Sequence, residues 1–197
     1  LKVIVDAAQS PASKFKKKFS GTLGDIGGYS LNFHKHIHTG EGGIIVTNDK
    51  KLFQKCAMIR NHAENIVNND RASLKNMLGY NFRLTEIQAA IGIEQLKKLE
   101  KIVQKKRRVA KKFMQGLKDL KGLKLPITRK NYTHSYYNFA LKLDTKLIKC
   151  SKKKIFNALK AEGVPINDKY ENIHLLPIFQ KKLLMVFQVF HGKKTNI

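Results

Sequence analysis

Residues 29–43, YSLNFHKHIHTGEGG, set one lysine, Lys35, between a strand-like run and a glycine-rich turn. The run is Tyr29 to Phe33 and the turn is Gly40-Glu41-Gly42-Gly43; the apolar Ile44-Ile45-Val46-Thr47 that follows reads as another strand. Lys35 is therefore expected on a loop held by structure at both ends. In a chain with 39 Lys plus Arg a lysine carries no message alone, because most are solvated surface. Its neighbours have to decide.

Upstream, LKVIV at Leu1–Val5 is a continuous apolar run of the kind a buried parallel strand shows. It ends in Asp6-Ala7-Ala8-Gln9, where small residues permit close approach and two polar side chains stand at the strand's carboxyl end. In open α/β sheets that end is where ligands bind. An aspartate there, with a lysine 29 residues later in a neighbouring strand–loop unit, supplies the two groups that pyridoxal phosphate requires. The amine condenses with the aldehyde, and the carboxylate keeps the pyridine nitrogen protonated so that the ring can act as an electron sink.

VDAAQS at 5–10, GTLGDIGGYSLNFHKHIHTGEGGIIVTND at 21–49, IRNH at 59–62 and GYNFRLTEIQAAIGIEQLKKLE at 79–100 resemble the DegT/DnrJ/EryC1/StrS sugar aminotransferases. These are fold type I enzymes that depend on pyridoxal phosphate. Weaker likeness continues through HSYYNFALKL and IFNALKAEGVPIN toward residue 180. The resemblance implies an α/β chain holding part of the large, mostly parallel sheet domain and part of a small C-terminal α+β domain. Placed on this sequence, 1–121 would be the former and 122–197 the latter, with the change of pattern falling after Gly122 and Pro126.

The resemblance also implies roles. Lys35 would bond the cofactor aldehyde, Asp6 pair with the pyridine nitrogen, Gln9 touch the ring hydroxyl side, and Ser30 bind the phosphate. Asn81 would reach the phosphate of the neighbouring subunit's cofactor, which makes the expected assembly a homodimer with shared sites. A related branch, the dehydratases, has histidine in place of the lysine; here Lys35 stands five residues before Gly40, as in the transaminases. The expected reaction is transfer of an amino group from an amino acid, glutamate in the first instance, to a nucleotide-linked keto-sugar, in sugar biosynthesis for a surface polysaccharide or a glycosylated metabolite.

His34, His36 and His38 alternate around Lys35, which would put the three on one face of an extended segment. No carboxylate ligand set accompanies them, so zinc is disfavoured, and His34 and His36 are read as lining the cofactor cavity next to substrate. Asn48 or Asp49 would cap a helix expected over Asp49–Arg60, and the resemblance, which puts the loop after that helix near the substrate, implies Asn61 and His62 as further substrate-side candidates. Asn61–Lys75 reads as a loop, and Ser10–Thr22 as a loop or short strands, with Gly24–Gly28 turning the chain back into the sheet.

Leu84–Leu120 is the longest periodic stretch, one or two amphipathic helices with Thr85 and Gln88 at the start and lysines on the other face. Beyond it, Tyr136–Leu143 alternates like a strand, Lys152–Glu162 reads as a helix ended by Gly163, and Val164-Pro165-Ile166 opens an extended piece. Set beside the resembled enzymes, the chain lacks the N-terminal phosphate loop and the aromatic that stacks on the ring, and its tail Leu183–Ile197 departs from their pattern. An incomplete chain is expected.

With 197 residues and 42% hydrophobic residues the chain can bury a sizeable core. A net charge of +25 raises nucleic acid as a partner, and a basic nucleic-acid-binding protein is one rival reading. However, lysines outnumber arginines 33 to 6 and are spread along the chain, and no aromatic residue interrupts the basic helix face at 97–112, so a solvated surface is favoured. A noncatalytic fragment of such an aminotransferase is the other rival. Cys56 and Cys150, 94 positions apart, fit no metal spacing and suit reduced thiols in the cytosol. No run approaches the roughly 18 apolar residues of a membrane span, and no signal peptide opens the sequence.

Overall fold

The computed structural model describes residues 1–64, 77–167 and 172–180, in two compact units, Leu1–Lys142 and Leu143–Ile197. Residues 65–75 of the expected loop and the tail from 183 lie outside them. The unit boundary falls later than the pattern change at Gly122 and Pro126, because residues 132–137 pack back onto the first unit: Phe15 and Tyr132 form a bridge, and His36 bonds to Ser135.

In the first unit β1 (Ile4–Asp6) is followed by a tight hairpin of β2 (Lys14–Phe15) and β3 (Lys18–Phe19), then by β4 (Ile26–Ser30) and β5 (Gly43–Val46). Lys16 and Lys17 both have positive φ, as a two-residue hairpin turn of type I′ demands. The sheet order is β1-β4-β5, with β4 parallel to β1 and antiparallel to β5. Gly27 and Gly28, expected in the turn, instead belong to β4, and the turn shortens to residues 23–25. A Cβ on Gly27 would stand 2.0 Å from the Gly21 carbonyl oxygen, so this strand runs too close to its neighbour for any side chain.

The pairing of LKVIV is parallel, as its apolar run suggests, but its burial is not. Ile4 is 80% exposed and Ile45 on β5 61%. The three-stranded sheet leaves β1 at an edge, and no described residue covers these side chains.

The helix α1 (Lys50–Arg60) starts where expected: the Asp49 carboxylate accepts from Lys51 N–H at 2.8 Å and Leu52 N–H at 3.2 Å. Next comes α2 (Glu86–Leu117), a single helix of 32 residues, about 48 Å at 1.5 Å per residue. Thr85 and Gln88 form its capping box. The helix is buried at Val103 and Ala110, seven residues apart on one face, while Leu96, seven residues before Val103 on that same face, is exposed.

After α2 come β6 (Leu123–Lys124) and β7 (Lys142–Leu143). The strand expected over Tyr136–Leu143 shrinks to its last two residues, since Tyr136 has φ +50° and its N–H donates to His134 Nδ1 at 2.8 Å instead of to a ladder. The second unit carries α3 (Lys152–Ala161), capped by the Ser151 hydroxyl and ended at Gly163 with φ +78°, and the short α4 (Pro177–Gln180). No described helix is long and apolar enough to cross a membrane.

Candidate active site

Register brings the two ends of the parallel pair together. Asp6 closes β1 opposite Gly28, and β4 ends two residues further on at Ser30, which faces Gly43 of β5. Asp6 and Ser30 thus share the carboxyl end of the sheet, and the loop bearing Lys35 leaves β4 at that same end. The Asp6 carboxylate is exposed and accepts one bond, from Ala8 N–H at 3.0 Å. Ser30 Oγ accepts from Asn32 N–H at 3.2 Å, which bends the chain into the loop. Gln9 is exposed on the segment after Asp6, and its carbonyl oxygen accepts from Ser135 Oγ at 3.4 Å.

The lysine loop is built from the inside. Leu31 and Ile37 are buried, and so is Thr39, whose N–H donates to the Leu31 carbonyl at 3.0 Å. Leu31 N–H donates to Gly42 O at 2.8 Å and Lys35 N–H to Asn32 O at 2.9 Å. Glu41 gathers the ends: its carboxylate accepts from Asn32 Nδ2 at 2.7 Å, and its carbonyl from Thr39 Oγ1 at 2.8 Å and Gln88 Nε2 at 3.0 Å. Gly40 turns at φ +82°, and a Cβ on Gly42 would lie 2.8 Å from Thr39 Oγ1. The glycines of the motif are therefore demanded by the loop itself.

This loop separates the three histidines. His34 and His38 are exposed, while His36 points inward at 7% exposure. The expected common face is absent because residues 31–42 coil and do not extend. His36 Nε2 donates to the Ser135 carbonyl at 2.8 Å, and Nδ1 is buried with no hydrogen-bond partner among the described residues. A carbonyl can only accept, so Nε2 carries the proton of a neutral ring. Burial pushes the His36 pKa down, opposed by the Ser135 bond and reinforced by Lys106, Lys35 and His134. Lys35 is half-buried, its Nζ 4.8 Å from the centre of the Tyr137 ring.

Asn61 and Asn81 meet in an isolated antiparallel bridge. The Asn61 side chain is buried, accepting from Arg83 at 2.8 Å and donating to Glu64 at 3.3 Å, whereas Asn81 is exposed. His62 is exposed at φ +55°, with its N–H on Tyr80 O at 2.9 Å. The structure thus gathers Asp6, Gln9, Ser30, Lys35 and His36 by way of one sheet end and Ser135, and pairs Asn61 with Asn81 on a separate bridge.

Ser135, Tyr137, Arg83 and Arg107 were not singled out by sequence reasoning. Arg107 donates to His134 O at 2.8 Å and Ala12 O at 3.3 Å, pinning residues 134–137 to the segment after Asp6. An arginine amid Lys105 and Lys106 was the available signal, since its planar fork suits two carbonyls where a lysine would not.

By donor chemistry the residues fit pyridoxal phosphate: a carboxylate for a ring nitrogen, a hydroxyl for a phosphate and an amine for an aldehyde, all leaving one sheet end. Comparison with known proteins agrees. GDP-perosamine synthase from Escherichia coli O157:H7 is 30% identical over 180 residues, covering 91% of this chain and 47% of that protein. Spore coat polysaccharide biosynthesis protein SpsC from Bacillus subtilis is 26% identical over 188 residues, with 91% and 48% covered. The structure of Helicobacter pylori PseC, an aminotransferase involved in the biosynthesis of pseudoaminic acid, superposes with a TM-score of 0.79 at 28% identity, covering 92% of this chain and 48% of that one. The chain spans about half the length of the curated relatives it matches. The fold is accordingly part of the pyridoxal phosphate-dependent type I fold. With the family model matching residues 1–189, the chain belongs to the DegT/DnrJ/EryC1/StrS aminotransferase family.

Proposed function

We propose that this chain serves pyridoxal 5'-phosphate-dependent transfer of an amino group from an amino acid, glutamate being the expected donor, to a nucleotide-linked keto-sugar. The observation that carries the reading is the convergence of Asp6, Ser30 and the Lys35 loop on the carboxyl end of β1 and β4. The sugar-nucleotide names of relatives such as GDP-perosamine synthase support the substrate class. When bound, the cofactor supplies an electron sink for the bond broken at the substrate carbon. Asp6 holds positive charge at the pyridine nitrogen, and Ser30 Oγ offers a donor to the phosphate. Lys35 Nζ would hold the cofactor's aldehyde carbon and, as a free amine, would carry the proton between the substrate carbon and the cofactor carbon.

His34, His62 and Asn81 are exposed and are assigned to substrate and to the partner subunit: the histidines to the sugar nucleotide, Asn81 to the cofactor phosphate of a second copy. Asn61 acts behind them, holding Asn81 across their bridge. The two free thiols, Cys56 and Cys150, suit a cytosolic setting. A cofactor-loaded chain that sediments as a monomer would remove the shared-site part of this reading.

The direct test is borohydride reduction of the chain in the presence of pyridoxal phosphate, followed by peptide mass analysis. The mass of the reduced cofactor is expected on the peptide that contains Lys35. Label on other lysines alone would overturn the assignment.

A further inference from the structure

Tyr137 lies 102 positions from Lys35 in sequence, yet its ring takes the Lys35 ammonium at 4.8 Å from the centroid. The other side of the arrangement is fixed. His36, next to Lys35 in the chain, has its ring centre 6.0 Å from that of Tyr137 and its Nε2 on the Ser135 carbonyl, two residues before Tyr137. Ser135 is 1% exposed, and Arg107 holds the preceding carbonyl at 2.8 Å. The lysine loop and the 134–137 segment are thus locked through a buried hydrogen bond immediately beside the place where the amine meets the aromatic face.

We infer that Tyr137 is a positioning residue for Lys35, its ring face holding the ε-ammonium in place whenever that amine is not covalently engaged, with His36 and Ser135 setting where the ring stands. The reacting role of Lys35 rests on the function proposed above, whereas the ring contact stands on geometry alone. The physical basis is the negative face of the aromatic ring, which attracts a cation within about 6 Å. An amine held against the ring is less available to an electrophile in solution.

The test is acetylation of Lys35 by limiting acetic anhydride at neutral pH in the full chain without cofactor, with the other lysines as internal standards. Tyr137→Phe keeps the ring face and should leave the rate unchanged. Replacing residue 137 by tetrafluorophenylalanine keeps the shape but depletes the face of electron density. Acetylation of Lys35 should then rise about two- to five-fold, the range expected from an interaction of this class. Tyr137→Leu should rise at least as far; if that variant loses the helical circular dichroism of the parent, the fluorinated ring decides alone. Equal rates for the phenylalanine and tetrafluorophenylalanine chains would overturn the inference. Uptake of pyridoxal phosphate, followed separately by absorbance, distinguishes the two claims. Ring-dependent acetylation without uptake would defeat the functional reading only, and uptake with ring-independent acetylation would defeat the Tyr137 assignment only.

Discussion

His36 shows how a side chain's surroundings fix its charge. Its pKa lies below the usual value near 6.5, first because burial disfavours the cation and then because Lys106, Lys35 and His134 repel it; the Ser135 bond opposes them without prevailing. The unfolded chain therefore binds the His36 proton more readily than the folded one. The stability this contributes is complete above the unfolded value and is lost as pH falls through the lower folded value. Thermal melts taken at successively lower pH below 6.5 should show the parent losing stability more steeply than His36→Gln, which retains a donor for Ser135 but has no titrating ring. Parallel slopes would contradict a buried neutral imidazole. At this scale the placing of Asp6 at a strand end and of Lys35 on a loop between two strands was legible, because Ala7-Ala8 and Gly40-Glu41-Gly42-Gly43 mark where β1 stops and β5 begins. The inward turn of His36 was not, since alternation in sequence becomes alternation in space only if the segment extends, and residues 31–42 coil. Tyr137 had no local signal at all: its meaning comes from a contact across 102 positions.

Among the elements, helix α2 was the most legible, because its start carries a chemical marker. Thr85 Oγ1 accepts from Gln88 N–H at 3.3 Å, and Gln88 Oε1 accepts from Thr85 N–H at 3.1 Å. Gln88 has a second task, since its Nε2 donates to the Glu41 carbonyl of the lysine loop. Thr85→Ala should cost about 1 kcal/mol in a denaturant titration, the usual loss for an N-cap hydroxyl. Gln88→Ala should cost more, because it also frees the loop; an equal or smaller cost would show that the link to Glu41 contributes nothing. Strands were harder to read than helices. β5 lies within a residue of its apolar run and β1 keeps only the end of its own, while Tyr136–Leu143 alternates in sequence but keeps only its last two residues as strand, as the left-handed backbone at Tyr136 turns the chain away. Periodicity reports which faces are apolar, and says nothing of what covers them. Leu96 therefore lies on the face of Val103 and Ala110 and is exposed all the same.

For the whole molecule, 39 basic residues against 14 acidic ones leave 25 positive charges that no ion pair within the chain can neutralise. Even the Lys2–Asp25 pair, at 2.9 Å, sits on the surface, where such contacts contribute little. The family was legible because its motifs lie close together in sequence; the exposure of the sheet was not, because it depends on what lies beyond the edge of β1. That edge has a dynamic consequence. Among the described residues β1 is fastened on one side only, by bonds such as Ala7 N–H to Gly28 O at 2.9 Å, so the amides alternating with it, those of Ile4 and Asp6, face outward from the ladder. In deuterated water the Ala7 amide should exchange more slowly than that of Asp6, and equal rates would mean that the strand is detached for most of the time. Whenever β1 peels from β4, the Asp6 carboxylate leaves with it, so the lifetime of the Ala7 amide proton is also a clock for how long the carboxyl ends of β1 and β4 stay together.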